Sequence, residues 1–199
     1  MGYINVVERY SMPIDDKVKK EKYIEKVRRG EFRNALKKGV PADVFLDLSH
    51  DKTVRGTMSD KTIQKLYEDN IGLYADVYTE DAELVEKGLN GDLVGWSYGM
   101  SDFDGEYHVL PTEVVQKFAD VSDVTIPEIG VHNVTSLELA SISLIDRTAE
   151  PTSRTSLTVR AHEDIWYGGA LITEPHIIRR QPQKYIYFDE KYGHLLNAK

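Results

Sequence analysis

The 199-residue chain is 41% hydrophobic and 29% charged, which suits one globular domain with a proper core and is too apolar for a disordered chain. It has no cysteine, which excludes disulfides, thiolate zinc sites and cysteine nucleophiles, so any covalent nucleophile must be Ser, Thr, Lys or a carboxylate. Neither an apolar run of about 18 residues nor a signal peptide is present, so we expect a soluble, cytosolic protein without a membrane partner. The net charge of −8 argues against a nucleic-acid surface, so we expect no nucleic-acid partner.

The N-terminal part of the chain predicts one strand followed by two helices. Residues 3–8 alternate as in a β-strand. The charged segment 17–38 carries apolar residues at near-helical spacing, and we expect Gly30 to split it into two helices, the second ending at Gly39 and Pro41. Its many Lys and Arg side chains are most simply a solvated helix face, and a partner-binding surface is the alternative.

A second strand is predicted over residues 44–49, and it runs directly into His50 and Asp51. A histidine at the end of a buried strand is where a scaffold holds a catalytic base rigidly while its ring stays reachable. A structural or merely surface histidine is the plainer interpretation of the same pattern.

The next segments predict a short strand, a turn, a strand and a helix. Residues 54–58 fit a short strand that pairs back, and residues 68–79 carry turn residues followed by an alternating strand. Thr79 is expected to cap a short helix that ends at Gly88 or Gly91.

Ser97 lies between two glycines inside the strand-like run 93–100. Gly95, Ser97 and Gly99 share one face of a period-2 pattern, and apolar residues occupy the other face. Glycine within a strand often marks a bulge or a place where another backbone or a ligand comes close. A nucleophile at Ser97 and close sheet packing are the two interpretations of this run.

The following part predicts a hairpin and then one long strand. Residues 101–105 have turn chemistry, 107–110 fit a return strand, and 113–118 fit either a short helix or a strand. Residues 131–147 form the longest strand-like region. Both of its faces carry apolar residues, so we expect this strand to be central in its sheet.

The composition changes after residue 160. Residues 157–160 predict a last core strand, whereas 161–199 are rich in aromatic residues and interrupted by glycine and proline. We therefore predict a domain over residues 1–160 and an extension over 161–199 that packs on this domain or on a partner.

Serine hydrolysis needs a hydroxyl, a base that takes its proton and usually a third group that orients the base. Ser97 and His50 suit the first two roles. Further landmarks follow one another along the chain: Gly2-Tyr3, Gly30-Glu31-Phe32-Arg33-Asn34-Ala35-Leu36, Ser49-His50-Asp51, Asp69-Asn70-Ile71-Gly72-Leu73, Trp96-Ser97-Tyr98-Gly99-Met100 and Leu139-Ala140-Ser141-Ile142-Ser143-Leu144-Ile145. This ordered set, which covers residues 2–160, resembles the prohead serine protease family of tailed bacteriophages.

The resemblance implies a fold and a role. The fold is α+β and mainly β, with a β-barrel core flanked by helices over residues 1–160, related to the herpesvirus assemblin proteases. The role is that of a serine endopeptidase inside the assembling prohead, in the host cytoplasm, which cleaves scaffold and capsid-associated proteins and often itself. Phage scaffold protein and major capsid protein would be its substrates, and a homo-oligomer is left open.

By the same resemblance, Ser97 matches the nucleophile and His50 the general base, but the third position departs from the family. Phage relatives carry glutamate, and herpesvirus enzymes a second histidine, where this chain has Ser141. A serine hydroxyl can accept from an imidazole N–H but carries no charge. Glu138 and Asp146 stand at odd offsets from Ser141, which directs them to the opposite face of a regular strand. We predict a Ser97–His50 pair assisted weakly by Ser141.

Two other interpretations stay open. The weakened third position motivates a protease-fold protein that has lost turnover and serves as a structural or assembly component of the phage particle. Metal binding is less well supported, because residues 162–164 and His176 have ligand types without ligand spacing, and Asp102 and Asp104 beside Gly105 fit a polar hairpin better than a cation loop. We therefore expect neither a metal nor a cofactor.

Overall fold

The computed structural model describes most of the chain, and its side chains are described as far as residue 160. The described residues are 1–16, 21–38, 44–149, 151, 153, 155–167 and 170–178. The predicted end of the second helix at Gly39 and Pro41 lies outside them.

The described residues form eleven strands and three short helices. The strands are β1 (Gly2–Val6), β2 (Ile14–Asp16), β3 (Glu21–Val27), β4 (Phe45–Leu48), β5 (Gly56–Thr57), β6 (Ile63–Glu68), β7 (Gly72–Val77), β8 (Leu93–Pro111), β9 (Glu128–Asp146), β10 (Val159–Tyr167) and β11 (Ala170–Ile178). The helices are α1 (Glu31–Lys37), α2 (Ala82–Leu89) and α3 (Thr112–Val115). The prediction of a mainly β protein of the α+β class is confirmed.

The strands are arranged in three sheets. A three-stranded sheet has the order β1-β7-β6, a hairpin joins β10 and β11, and a six-stranded sheet has the order β2-β3-β9-β4-β5 with β8 also paired to β9. Within the described ranges these hydrogen-bonded pairs do not close into a ring, so the expected barrel is not seen as a closed one.

Strand β9 is the centre of the largest sheet, as its two apolar faces predict. It pairs antiparallel with β8 along its whole length. It pairs parallel with β3 near its start and with β4 near its end. Because β8 occupies one edge of β9, the two shorter strands share the other edge in succession.

The hydrophobic core lies between the large sheet, the three-stranded sheet and α1. Fully buried residues from several elements form its centre, including Ile4, Phe32, Leu46, Leu73, Trp96 and Ile142. This packing fixes which face of β4, β8 and β9 is internal, since a slip of one residue would move every apolar side chain to the wrong face.

The prediction of a first helix before Gly30 is wrong for the described residues, because Glu21–Val27 form strand β3. Ile24 and Val27 are fully buried, and their spacing of three fits a helix as well as an irregular strand. The edge of β9 decides the outcome, because residues 130–134 offer unpaired backbone groups that β3 satisfies in parallel register. The second predicted helix is confirmed as α1, which begins after Gly30.

The predicted turn at residues 101–105 is also wrong, because β8 continues through it to Pro111. The register of β8 against β9 shifts at Met100, Asp102 and Gly105, so bulges absorb the residues that read as a turn. Residues 107–110 consequently extend the same strand instead of returning beside it.

Most of the other secondary-structure predictions are confirmed. Strands are found at β1, β4, β5 and β7 where they were expected. Helix α2 is confirmed, although its N-cap is Asp81, whose Oδ1 accepts from the Leu84 N–H at 3.0 Å, instead of Thr79. Residues 113–118 begin as the short helix α3.

The proposed boundary at residue 160 stays a prediction. Strand β10 crosses it, and the hairpin of β10 and β11 reaches Ile178, whereas residues 179–199 lie outside the described part. Among the described residues, no helix is both long and apolar enough to span a membrane.

The start of α1 depends on a carboxylate from another element. Gly30 has the left-handed φ of 95° and supplies no side-chain cap. Glu68 of β6 takes that role, since its Oε1 accepts from the Gly30 N–H at 2.6 Å and its Oε2 from the Arg33 N–H at 2.8 Å. The buried Glu68 therefore joins α1 to the three-stranded sheet.

We expect Glu68→Ala to lower the free energy of unfolding by about 2 kcal/mol, because two helix-terminal N–H groups lose their acceptor. Urea unfolding followed by circular dichroism measures the change. Glu86→Ala on the exposed face of α2 is the control, with an expected change within about 0.5 kcal/mol. Equal effects of the two substitutions would contradict the capping role.

Glu25 of β3 makes stability depend on pH. Burial raises the pKa of its carboxyl above the usual 4.5, and the hydrogen bond from Tyr98, at 2.8 Å to Oε1, lowers it in part. The folded chain therefore holds this proton more tightly than the unfolded chain. Its contribution to the free energy of unfolding is largest below pH 4.5 and is lost as the pH rises through the raised folded value.

Glu25→Gln, which keeps the shape without the charge, should consequently gain stability relative to the wild type as the pH is raised from 4 to about 8. Urea unfolding at the two pH values measures the difference. Glu21→Gln at the exposed end of the same strand is the control. A stability difference between wild type and Glu25→Gln that does not change with pH would refute this account.

Candidate active site

Three neighbouring strands place three polar residues in one row. Ser143 of β9 is in register with Asp47 of β4 on one side and with Ser97 of β8 on the other. Residues in register on adjacent strands project from the same face of a sheet. The row Asp47–Ser143–Ser97 therefore crosses the sheet at right angles to its strands.

The alternate residues of the same strands face the core. Leu48, Leu144 and Trp96 belong to the main hydrophobic cluster and are at most 5% exposed. Their burial determines that the polar row lies on the opposite face. The core thus sets the register that brings the polar side chains together.

His50 reaches this row through an unusual turn after β4. Ser49 and His50 both adopt left-handed backbone conformations, with φ of 49° and 61°. Such a conformation costs a non-glycine residue about 1–2 kcal/mol, so two in succession need support from neighbouring groups. The Ser49 N–H donates to the Leu144 carbonyl at 2.8 Å, and the Ser49 hydroxyl donates to Asp146 Oδ1 at 3.1 Å.

Asp146 is a charged anchor for this turn. Its backbone N–H donates to Ser49 Oγ at 3.2 Å, and the Lys87 ammonium of α2 lies 2.9 Å from its Oδ2. Hydrogen bonds from Thr148 and Lys87 hold the pKa of the Asp146 carboxyl well below its usual range. Asp146 therefore remains ionised, and it ties the His50 turn to both β9 and α2.

The other side of the turn is held by an arginine. Arg55 lies 2.7 Å from Asp51 Oδ2 and 3.0 Å from Glu83 Oε2. These ion pairs connect the residue after His50 to the first turn of α2. The backbone that carries His50 is thus fixed on both sides.

The imidazole of His50 joins the row by both ring nitrogens. Nε2 lies 2.9 Å from Ser97 Oγ, and Nδ1 lies 3.0 Å from Ser143 Oγ. The Ser143 hydroxyl in turn donates to Asp47 Oδ1. His50 is exposed to solvent, whereas Ser97, Ser143 and Asp47 are 5%, 0% and 1% exposed.

The structure thus brings together the predicted Ser97 and His50, which are 47 residues apart, but it does not bring Ser141 to the imidazole. Ser141 pairs with Gly99, where an added Cβ would lie 2.5 Å from Ser141 Oγ. The hydroxyl beside His50 Nδ1 belongs to Ser143, one same-face position further along β9. The hydroxyl on Nδ1 thus lies two residues beyond Ser141, whose role as third member stays a prediction.

Glu138 and Asp146 do not fill that position either. Glu138 accepts from the Ser101 hydroxyl at 3.3 Å on the exposed part of β8 and β9, and Asp146 anchors the turn. Ser143 and Asp47, which the structure places in the row beside His50, were not among the residues predicted for the site. Asp47 stands out in the sequence as an acidic residue inside the apolar strand predicted over residues 44–49. Ser143 lies two residues after Ser141, so it shares the same face of the predicted strand.

Metal binding gains no support from the described residues. No group of three or more His, Asp or Glu side chains among them is placed to hold a metal ion. Asp102 and Asp104 lie within β8, where each carboxylate accepts from the next residue's N–H. The side chains of residues 162–164 and His176 lie outside the described part.

The arrangement has three of the groups that acyl transfer by serine uses. A hydroxyl lies within hydrogen-bonding distance of an imidazole, and a second group contacts the other ring nitrogen. The two glycines on either side of Ser97 add no side chains to its face. An added Cβ would lie 3.0 Å from the Pro151 ring at Gly95 and 2.5 Å from Ser141 Oγ at Gly99, so these two neighbours occupy the space beside the glycines.

Comparison with known proteins identifies the family. No curated protein and no solved structure matches the chain. The sequence model of one family, the caudovirus prohead serine protease, matches residues 1–165, which is most of the chain and includes every residue of the row. The chain belongs to the caudovirus prohead serine protease family.

Proposed function

We propose that this chain is the maturation endopeptidase of a phage prohead, with Ser97 as nucleophile and His50 as general base. The observation that carries the proposal is the distance of 2.9 Å between Ser97 Oγ and His50 Nε2. Membership of the prohead serine protease family supports the reaction class. The hydrogen bond supports the assignment of these two residues.

In this mechanism Ser97 Oγ attacks the scissile carbonyl carbon while its proton passes to His50 Nε2. The resulting imidazolium then donates the proton to the leaving amine, which leaves an acyl group on Ser97. Water attacks the acyl carbon in the second half of the reaction, and His50 again takes and returns a proton. The exposed edge of the imidazole suits this exchange with substrate and water.

We assign Ser143 as the third member of the site, in place of Ser141. A third member must contact the ring nitrogen that does not face the nucleophile, because this contact determines which ring nitrogen of the base carries the proton. Ser143 Oγ lies 3.0 Å from His50 Nδ1, whereas Ser141 lies beside Gly99. The geometry supports Ser143.

The family supports phage scaffold and capsid proteins as the substrate class, and the procapsid in the host cytoplasm as the place of action. Self-cleavage and relationship to the herpesvirus assemblin proteases, with their barrel fold, belong to the same proposal. The mainly β architecture is compatible with that relationship.

We expect Ser97→Ala to abolish cleavage of scaffold and capsid protein, a loss on the order of 10⁴-fold or more, because the attacking oxygen is removed. The measurement is co-expression with the scaffold and capsid proteins of the same phage, followed by intact-mass spectrometry of all chains. Ser101→Ala, an exposed serine on the same strand, is the matched control and should leave every product unchanged.

Cleavage that persists in Ser97→Ala would overturn the nucleophile assignment. If the wild-type chain also leaves the scaffold uncleaved and itself stays full-length, the result would instead favour the alternative function. That alternative is a structural or assembly protein with a protease fold.

A second pair of substitutions tests the third member. Ser143→Ala removes the group on His50 Nδ1 and should lower kcat/KM about 100-fold. Ser141→Ala, on the same face of the same strand, should lower it less than about threefold. Cleavage of a peptide that spans a site mapped by co-expression measures both values. A larger loss in Ser141→Ala than in Ser143→Ala would return the third role to Ser141.

A further inference from the structure

We propose that Asp47 is a positioning residue that acts on His50 through Ser143, so that the site is a relay of four residues. The proposal rests on the function assigned to Ser97 and His50. Asp47 touches neither the nucleophile nor the base, and its contact with the site is the hydrogen bond that it accepts from the Ser143 hydroxyl.

The direction of the hydrogen bonds follows from counting protons. A serine hydroxyl has one proton to donate, and Ser143 donates it to the carboxylate of Asp47. Ser143 Oγ can therefore only accept from His50 Nδ1, 3.0 Å away. Nδ1 must then carry the proton of the neutral ring, and Nε2 presents its lone pair to Ser97 Oγ at 2.9 Å.

Without Asp47 this direction is no longer imposed. The Ser143 hydroxyl is then able to donate to Nδ1, which favours the ring tautomer protonated on Nε2. That tautomer cannot take the proton of Ser97, and an incorrect tautomer is what disables serine proteases whose buried aspartate is replaced by asparagine. Asp47 thus selects the tautomer that is competent for catalysis.

Asp47 also supplies the charge that Ser143 lacks. When His50 takes the proton from Ser97, a positive imidazolium forms, and a neutral serine stabilises it only weakly. The Asp47 carboxylate is 1% exposed and one hydrogen bond further away. Because Asp47 and Ser143 are both buried, water screens this charge less than it screens a surface charge, and the carboxylate stabilises the imidazolium across Ser143.

The role is testable by Asp47→Asn, which preserves the size of the side chain but removes its charge. Its amide N–H can also donate a hydrogen bond to Ser143 Oγ. We expect kcat to fall about 100-fold with little change in KM, and the acid limb of kcat against pH to move to lower pH. Glu25→Gln is the matched control, since Glu25 is also buried, on the same sheet, and accepts from a hydroxyl. It should retain wild-type kcat.

A double-mutant cycle tests whether Asp47 acts through Ser143. In a Ser143→Ala background, adding Asp47→Asn should cost less than about threefold, because the link between the carboxylate and His50 is already broken. A loss that is equally large in both backgrounds would overturn the relay, as would an Asp47→Asn variant that matches Glu25→Gln.

A third measurement does not require an active enzyme. Imidazole ¹⁵N NMR of the unmodified chain, with the His50 signals assigned by their absence in His50→Gln, should show neutral His50 protonated on Nδ1. Protonation on Nε2 would overturn the relay. A wild type that has this tautomer but cleaves nothing would contradict the proposed function and leave the relay standing, so the two failures are distinguishable.

Discussion

The candidate site depends on the register of two strands against β9. Ser143 occupies the one position on β9 that pairs with Asp47 on β4 and with Ser97 on β8. The register itself is fixed from the opposite face, where Leu48, Leu144 and Trp96 are buried in the core. Hydrophobic packing on one face of a sheet therefore determines the alignment of a polar row on the other. A slip of one residue would place Ser97 inside the core.

His50 is held by different means, since it lies beyond the end of β4. Two consecutive left-handed residues turn the chain back over the sheet, a conformation that persists only where the surroundings determine it. Ser49, Asp146 and Lys87 supply that support in a chain of hydrogen bonds that reaches α2. Helix α2 thus contributes to the orientation of the imidazole without touching it.

Two local patterns, glycines beside a strand serine and a histidine at a strand end, made Ser97 and His50 candidates, and the ordered resemblance to a family selected them. Neither kind of signal selects Ser143 or Asp47. Which of the two same-face serines, Ser141 or Ser143, meets the imidazole depends on the pairing of β9 with its neighbours, and pairing between distant segments is not encoded in local spacing. The resemblance to relatives directed the choice to Ser141.

The errors in secondary structure have the same origin. Strand β3 carries apolar residues at a spacing that suits a helix, and the free edge of β9 makes it a strand. The residues 101–105 are typical of a turn, and the length of β9 keeps them extended by allowing bulges in β8. In both places a long-range partner overrides local propensity, and in both the partner is β9.

Asp47 is the residue whose presence the fold alone explains least. A carboxylate at 1% exposure costs several kcal/mol in desolvation unless it is well hydrogen-bonded, and an apolar side chain at that position of β4 would avoid this cost. Ser143 is a neutral partner and offsets only part of it. A strand that retains such a charge next to a polar row is less stable than it needs to be. The role proposed for Asp47 in orienting His50 accounts for this loss of stability, because the charge lies where it would stabilise a protonated imidazole.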